Sequence, residues 1–288
     1  MDAPTRAATT RAGTPASHRP DADSLPDSGR LLIGEGEPAP YEIVNPDGRA
    51  PLLLVCDHAS TRIPARLGTL GLPPAALGLH IAYDIGAASL TRLLAGRLDA
   101  PAVLCGYSRL VIDCNRQPGD PQSILAVSDG IVIPGNEALS AEEQEARAEA
   151  ILWPYHHAIE QVFTRLRRRG PEPLLFSVHT FTPTLGGEDR FWDASVLWNR
   201  DPRLAVPLIN FLRRHEELNI GDNEPYSGRD IAYTLNLHAG AAGLANAAIE
   251  VRQDHCETDR QIHHWADLIA DALRQLLSMG NLHRIEQF

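Results

Sequence analysis

Leu52-Leu53-Leu54-Val55-Cys56-Asp57-His58 is an apolar run that ends in two side chains able to carry charge. Consecutive apolar residues without alternation read as a strand covered on both faces, the pattern of a parallel sheet between helices. The form recurs twice. Leu174-Leu175-Phe176-Ser177-Val178 leads into His179, and Ala247-Ala248-Ile249 leads into Glu250. Further strands are expected at Ala102-Val103-Leu104-Cys105, at Leu110-Val111-Ile112 and at Ala194-Ser195-Val196-Leu197-Trp198. Helical spacing separates them. Over 87–98, Leu90, Leu93, Leu94 and Leu98 share one side. A long helix over 140–169 opens on Ser140 with Glu143 completing a capping box. Helices are also expected over 202–217 and 259–279, the last with a stripe of Trp265, Leu268, Ile269, Leu273 and Leu276. Strands alternating with helices imply an α/β fold, three-layer α/β/α with a mixed, largely parallel sheet. In such sheets ligands bind beyond the carboxyl ends of strands. That rule singles out His58, His179 and Glu250.

The 288 residues suffice for this architecture as one domain over 31–288, after a leader over 1–30 rich in Ala, Thr, Pro, Ser and Asp that reads as disordered. The net charge of −11 argues against a nucleic-acid partner, whose affinity would rest on a basic face. The basic cluster of Arg165, Arg167, Arg168 and Arg169 fits a solvated helix end. No apolar run is long enough to span a bilayer, and no secretory signal is visible, so the cytoplasm is the expected location. The four cysteines lack CxxC spacing and do not suggest a disulfide framework. All 26 basic residues are arginine, a usage that fits a GC-rich bacterial genome. Without lysine, Schiff-base chemistry and a Walker-type phosphate loop are excluded. Any anion clamp must be arginine or backbone N–H.

Two histidines and a carboxylate at three strand ends suit zinc, whose catalytic sites use about three protein ligands and one open position. Glu250 has two readings here, metal ligand or general base for water. The run Ser108-Arg109-Leu110-Val111-Ile112-Asp113-Cys114-Asn115-Arg116 adds a second element. Arg116 beside Asn115 is shaped to hold a substrate carboxylate, since guanidinium binds it bidentately and the amide adds a donor. The alternative is an Arg116–Asp113 ion pair that only fixes the loop. His238, after Leu235-Asn236-Leu237, is a candidate for the pocket wall or for a bond within its loop.

The chain resembles the N-formylglutamate amidohydrolase family. The matching segments are Asp57-His58-Ala59-Ser60 through Ile63-Pro64, Tyr83-Asp84-Ile85-Gly86-Ala87 and the run from Ser108 to Arg116. They continue with Ser177-Val178-His179-Thr180-Phe181-Thr182-Pro183, Asn223-Glu224-Pro225-Tyr226-Ser227-Gly228 and Ile249-Glu250-Val251-Arg252-Gln253-Asp254. That family is similar in fold to the zinc carboxypeptidases and aspartoacylase. The resemblance implies that His58 and His179 hold zinc, that Glu250 is the general base, and that Arg109 stabilises the oxyanion. It also implies that Asp113-x-Asn115-Arg116 contains the carboxylate clamp, and that the loop from Asn223 to Gly228 borders the substrate. One departure stands out. The carboxypeptidase pattern is His-x-x-Glu, and Thr61 occupies the glutamate position. Asp84 is the replacement candidate for the third ligand, against a role as N-cap of the helix that follows. Asp57 is a further candidate.

The expected function is hydrolysis of a small N-formyl or N-acyl amino acid bearing a carboxylate, by a zinc-activated water. Two other readings stay open. One is a nucleophilic amidohydrolase, with Cys114 as the obvious candidate and His179 as its base. The other is a non-catalytic binding homologue, which the loss of glutamate at Thr61 keeps in play.

Overall fold

The runs that read as buried strands form one sheet. The computed structural model describes residues 31–288, so the leader expected over 1–30 lies outside the described residues. The strands are β1 (Tyr41–Val44), β2 (Leu52–Cys56), β3 (Ala102–Cys105), β4 (Val127–Ser128), β5 (Ile131–Val132), β6 (Leu174–Phe181), β7 (Thr184–Leu185), β8 (Glu188–Asp189), β9 (Ala194–Leu197), β10 (Ile220–Asp222) and β11 (Asn246–Arg252). Seven of them make the sheet, in the order β1-β3-β2-β6-β11-β9-β10. The pairs β2/β3, β2/β6, β6/β11 and β9/β10 are parallel, whereas β1/β3 and β9/β11 are antiparallel. The sheet is therefore mixed and mostly parallel, as expected. The pairs β4/β5 and β7/β8 are two-residue ribbons outside it.

The α-helices are α1 (Ala87–Leu98), α2 (Ala141–Arg147), α3 (Trp153–Arg167), α4 (Pro202–Leu212), α5 (Tyr233–His238) and α6 (Asp259–Leu276). Strand alternation divides the core between two faces. Leu52, Leu54 and Cys56 join α1, α4 and α6 in one cluster through Leu90, Leu94, Leu208, Trp265 and Ile269. Leu53 and Val55 join α3 in the other through Tyr155, Ile159 and Val162. Fully burying each such side chain contributes about 1.5–3 kcal/mol.

The structure departs from the sequence reading in several places. Leu110-Val111-Ile112 is a buried turn, not a strand. Its side chains are hidden as a strand's would be, but distant side chains satisfy its carbonyls. Asn136 Nδ2 donates to Leu110 O (2.9 Å) and Arg147 Nη1 to Val111 O (3.0 Å). An apolar run cannot reveal which partners its backbone will find. The helix expected over 140–169 opens on the expected capping box at Ser140 but is interrupted by a π-helical turn, Ala148–Leu152, between α2 and α3. Pro154 has no N–H to give to the residue four before it, which accounts for the changed register. The helices α4 and α6 end earlier than expected, at Leu212 and Leu276. Finally, β6 continues past Val178, which places His179 inside the strand.

Candidate metal and catalytic site

Parity and register bring the strand-end residues together. In β6 and β11, Leu175 and Ala248 belong to the cluster on the α3 face. Side chains two and four residues on point the same way, so His179 and Glu250 face that side as well. They are direct Cα partners across the parallel pair. Because β2 runs parallel to β6, the turn after it delivers His58 to the same edge. The ring centroids of His58 and His179 are 4.9 Å apart.

Asp84 comes from the turn before α1. That turn is fixed by backbone bonds from Asp84 N to His58 O (3.0 Å) and from Ala87 N to Asp84 O (3.2 Å). Gly86 has φ +85°, and a Cβ there would lie 2.4 Å from Cys256 Cβ, so the turn requires glycine. The Asp84 side chain does not cap α1. Its Oδ2 lies 3.2 Å from His58 Nδ1 and 2.8 Å from His179 Nδ1. One ligand atom from each of His58, Asp84 and His179 falls within 4.8 Å of the others, and all three residues are buried. Thr61, by contrast, is exposed and lines a separate surface cavity.

The far nitrogen of each imidazole also meets a carboxylate. His58 Nε2 is 2.7 Å from Asp113 Oδ1, and His179 Nε2 is 3.1 Å from Asp57 Oδ2. A carboxylate behind a histidine fixes ring orientation and raises ligand basicity in metal sites. Asp57 is held in turn by Tyr155 Oη (2.9 Å), Ser177 Oγ (3.2 Å) and Thr234 Oγ1 (2.7 Å), all donating to it. It therefore stands behind His179, not beside Asp84.

Four carboxylates, those of Asp57, Asp84, Asp113 and Glu250, are buried in this small volume. Burial opposes the ionisation of Asp57, but hydrogen bonding and charge from His179 outweigh it and bring its pKa down to about 2. Burial likewise opposes charge on His179, yet its bonds with Asp57 and Asp84 hold its pKa well above 6.5. For His58, burial and Arg109 oppose the charged form, and Asp113 and Asp84 outweigh them. Glu250 differs from the other acids. Burial dominates, and its pKa is pushed up to about 7. The two Nδ1 atoms and Asp84 Oδ2 converge on the place where a divalent cation would take those nitrogens and that oxygen. Imidazole and carboxylate donors within reach of one another fit such an ion.

Arg109 donates to Asp113 Oδ2 (2.6 Å) and Asp84 Oδ1 (3.4 Å) at the cavity wall. Arg116 does not pair with Asp113 by side chain. Among the described residues its half-buried guanidinium has no hydrogen bond or ion pair, and it lines the cavity with Asn115 and Glu250. Asn115 is anchored by its Oδ1, which accepts from Thr234 N (3.1 Å). Tyr226, in the loop from Asn223 to Gly228, reaches the same wall, as do His80 and Leu185. His80 and Leu185 carry no distinguishing signal in the sequence, whereas Tyr226 falls in the loop that the family resemblance places beside the substrate.

His238 is placed elsewhere. It lies at the end of α5, stacked on His156 with Nε2 2.9 Å from His156 Nδ1, and is not among the residues that line the cavity. Its bond is not within its own loop either, since His156 lies 82 positions away on α3. Burial lowers its pKa to about 4. The unfolded residue takes up a proton near 6.5 and the folded one only near 4, so its contribution to stability is intact above 6.5 and declines as the pH falls towards 4. The full decline is about 3 kcal/mol. The urea midpoint should therefore fall less between pH 7 and pH 4.5 in His238→Asn than in the parent. Equal slopes in the two proteins would refute this account.

Cys114 is fully buried with its Sγ 3.6 Å from Cys105 Sγ, and it does not line the cavity. Its contact with Cys105, and then burial, raise its pKa well above 9. That environment disfavours the thiolate that nucleophilic attack requires.

The N-formylglutamate amidohydrolase family profile matches residues 50–256. The chain belongs to the N-formylglutamate amidohydrolase family. The family consists of hydrolases of a non-peptide amide bond in a small molecule. A crystal structure of a gene product from Agrobacterium tumefaciens is similar at 33% identity and a TM-score of 0.83, over 86% of this chain and 98% of that one. The N-formylglutamate amidohydrolase of Ralstonia eutropha JMP134 shares the fold at 17% identity and a TM-score of 0.64, over 83% of this chain and 97% of that one. A search of curated proteins finds no match. No helix among the described residues is long and apolar enough to cross a membrane.

Proposed function

We propose that this family member hydrolyses the amide bond of a small N-formyl or N-acyl amino acid with the aid of a divalent metal ion, zinc by its donor set. The observation that carries the reading is the convergence of His58, Asp84 and His179 beside Glu250, whose pKa lies near neutrality. His58, Asp84 and His179 would hold the ion, which when bound lowers the pKa of water and polarises the acyl carbonyl. Asp113 and Asp57 keep the two imidazoles oriented from behind. Glu250 takes the proton of the attacking water, whose oxygen bonds to the acyl carbon. As the C–N bond breaks, Glu250 returns that proton to the leaving amine. Arg109 faces the same space and stabilises negative charge developing on the acyl oxygen. Arg116 and Asn115 bind the α-carboxylate and set the amide in line with Glu250.

Release of formate from N-formyl amino acids by the metal-loaded protein tests the reading, and failure to turn over any of them would count against it. Arg116→Ala should lower kcat/KM by about 10- to 100-fold, the worth of a charge-assisted hydrogen bond. The loss should vanish for substrates whose α-carboxylate is replaced by a carboxamide. An equal loss on both substrates would remove Arg116 from the clamp.

A further inference from the structure

Among the described residues two buried side-chain polar atoms have no hydrogen-bond partner, Arg190 Nη1 and His80 Nε2. A buried polar group left unpaired costs free energy, and a charged one costs more, so each such atom points to a partner that the folded chain does not supply. The two belong to one region. His80 lines the cavity that holds Glu250 and also an adjoining one of about 160 Å³. These cavities share a wall of His80, Arg109, Asp113, Leu185 and Tyr226. Arg190 lies one layer behind that wall. Its guanidinium is 4.6 Å from the ring centroid of Tyr226 and 5.7 Å from that of Phe181, and both rings line the first cavity.

The charge of Arg190 is not offset at this wall. Arg109 is held by Asp113 and Asp84. Asp129 stands at the rim of the second cavity with 33% of its side chain exposed, and its Oδ2 is 3.3 Å from His80 Nε2. Arg190 forms no ion pair among the described residues, and its side-chain hydrogen bond runs from Nη2 to Tyr226 Oη. An arginine only donates, so the phenolic proton is left for another acceptor. Burial raises the pKa of Tyr226, so that proton is retained. Tyr226 is thus a donor at the shared wall with a positive charge behind it.

We propose that Tyr226 and Arg190 recognise a carboxylate on the substrate's side chain. Tyr226 touches it through the phenolic hydroxyl. Arg190 is a positioning residue that aims this hydroxyl and supplies the charge behind it. With Arg116 on the α-carboxylate in the first cavity, the side chain enters the second and lays its methylene groups against Leu185. With its proton on Nε2, His80 adds a second donor. The inference rests on the proposed function and adds to it the residues that set the side-chain preference.

The test compares kcat/KM for N-formylglutamate and N-formylnorvaline, which has the same side-chain carbons and no carboxylate there. The parent should prefer the glutamate compound by about 100-fold, since a site built to hydrogen-bond a group rejects the analogue that lacks it. Tyr226→Phe and Arg190→Met should each shrink that ratio about tenfold or more, the worth of a hydrogen bond to a charged group, with the loss carried mainly by KM. Arg190→Lys, which keeps the charge, should retain more of the ratio than Arg190→Met. A merely structural Arg190 would lower both substrates alike. A parent ratio of one or below, or a ratio unmoved in the variants, overturns the proposal. Tyr226→Phe, which removes one oxygen, decides the matter if Arg190→Met does not fold. Failure of the parent on both substrates counts against the proposed function instead. In that event calorimetric binding of free glutamate and free norvaline to the parent and to Tyr226→Phe makes the same comparison, and equal affinities for the parent overturn the recognition.

Discussion

Stripping divalent metal with a chelator is expected to lower N-formyl amino acid hydrolysis by ~10³-fold or more, and added Zn²⁺ is expected to restore it. The expectation follows from the buried charge. Asp84 lies within 3.2 Å of one Nδ1 on each of two imidazoles, and each opposite nitrogen is held by another carboxylate. Ligands oriented in this way would be prepared to bind an ion, and a bound ion would in turn stabilise the fold. At a free metal concentration 100 times the Kd, the gain is about 2.7 kcal/mol. Metal-loaded protein should therefore melt at a higher temperature than chelated protein. Asp84→Ala should lose both the bound ion, counted by elemental analysis, and that thermal shift. If the chelated enzyme retains full activity, or if Asp84→Ala binds metal as tightly as the parent, the site assignment fails. Binding should also weaken as the pH falls, because the ion must displace protons from His58 and His179, whose pKa values are raised. A homologue that binds ligand without catalysis would show the thermal shift and no turnover, so the two measurements together separate that reading from the proposed one.

How much of this site the sequence reveals depends on how far each interaction reaches along the chain. His58, His179 and Glu250 are legible because buried strands of a parallel sheet deliver their ends to one edge, and an apolar run shows where each ends. The register of His179 against Glu250 is not legible, since it depends on how β6 and β11 pair. Asp57 shows why neighbours in sequence mislead. It precedes His58, yet its partners Tyr155, Ser177 and Thr234 lie 98, 120 and 177 positions away, and it supports His179. Asp113 invites a local pair with Arg116, but its carboxylate turns to His58, 55 positions away, and to Arg109. That choice leaves Arg116 open to the cavity. The turn around Leu110 to Ile112 is misread for a related reason, since its carbonyls are satisfied from Asn136 and Arg147. His80, Tyr226 and Asp129 sit on loops without periodicity, and only the assembled structure brings them to one wall.

Glu250→Gln should reduce kcat by about 10²–10⁴-fold, the range lost when a positioned general base is removed, while leaving the metal content of the protein unchanged. The pairing of these two outcomes decides between its two readings. As a ligand, Glu250 would take metal affinity with it. As the base, it would take only the proton transfer. The geometry favours the base, because the donor cluster is formed by His58, Asp84 and His179 without it. Its electrostatics agree. Burial raises the pKa of Glu250 from 4.5 to about 7, which makes it a better proton acceptor than an exposed carboxylate and leaves part of it ionised at neutral pH. A cation held by the neighbouring cluster adds positive charge beside it and draws that value down. The acid limb of kcat/KM should therefore have its midpoint between 4.5 and 7, with activity present above it and lost as the pH falls through it. In Glu250→Gln, whose side chain does not titrate, the residual rate should lack that limb. A variant that keeps the same limb while losing kcat would assign the titration to another group, and a variant that loses its metal would return Glu250 to the ligand set.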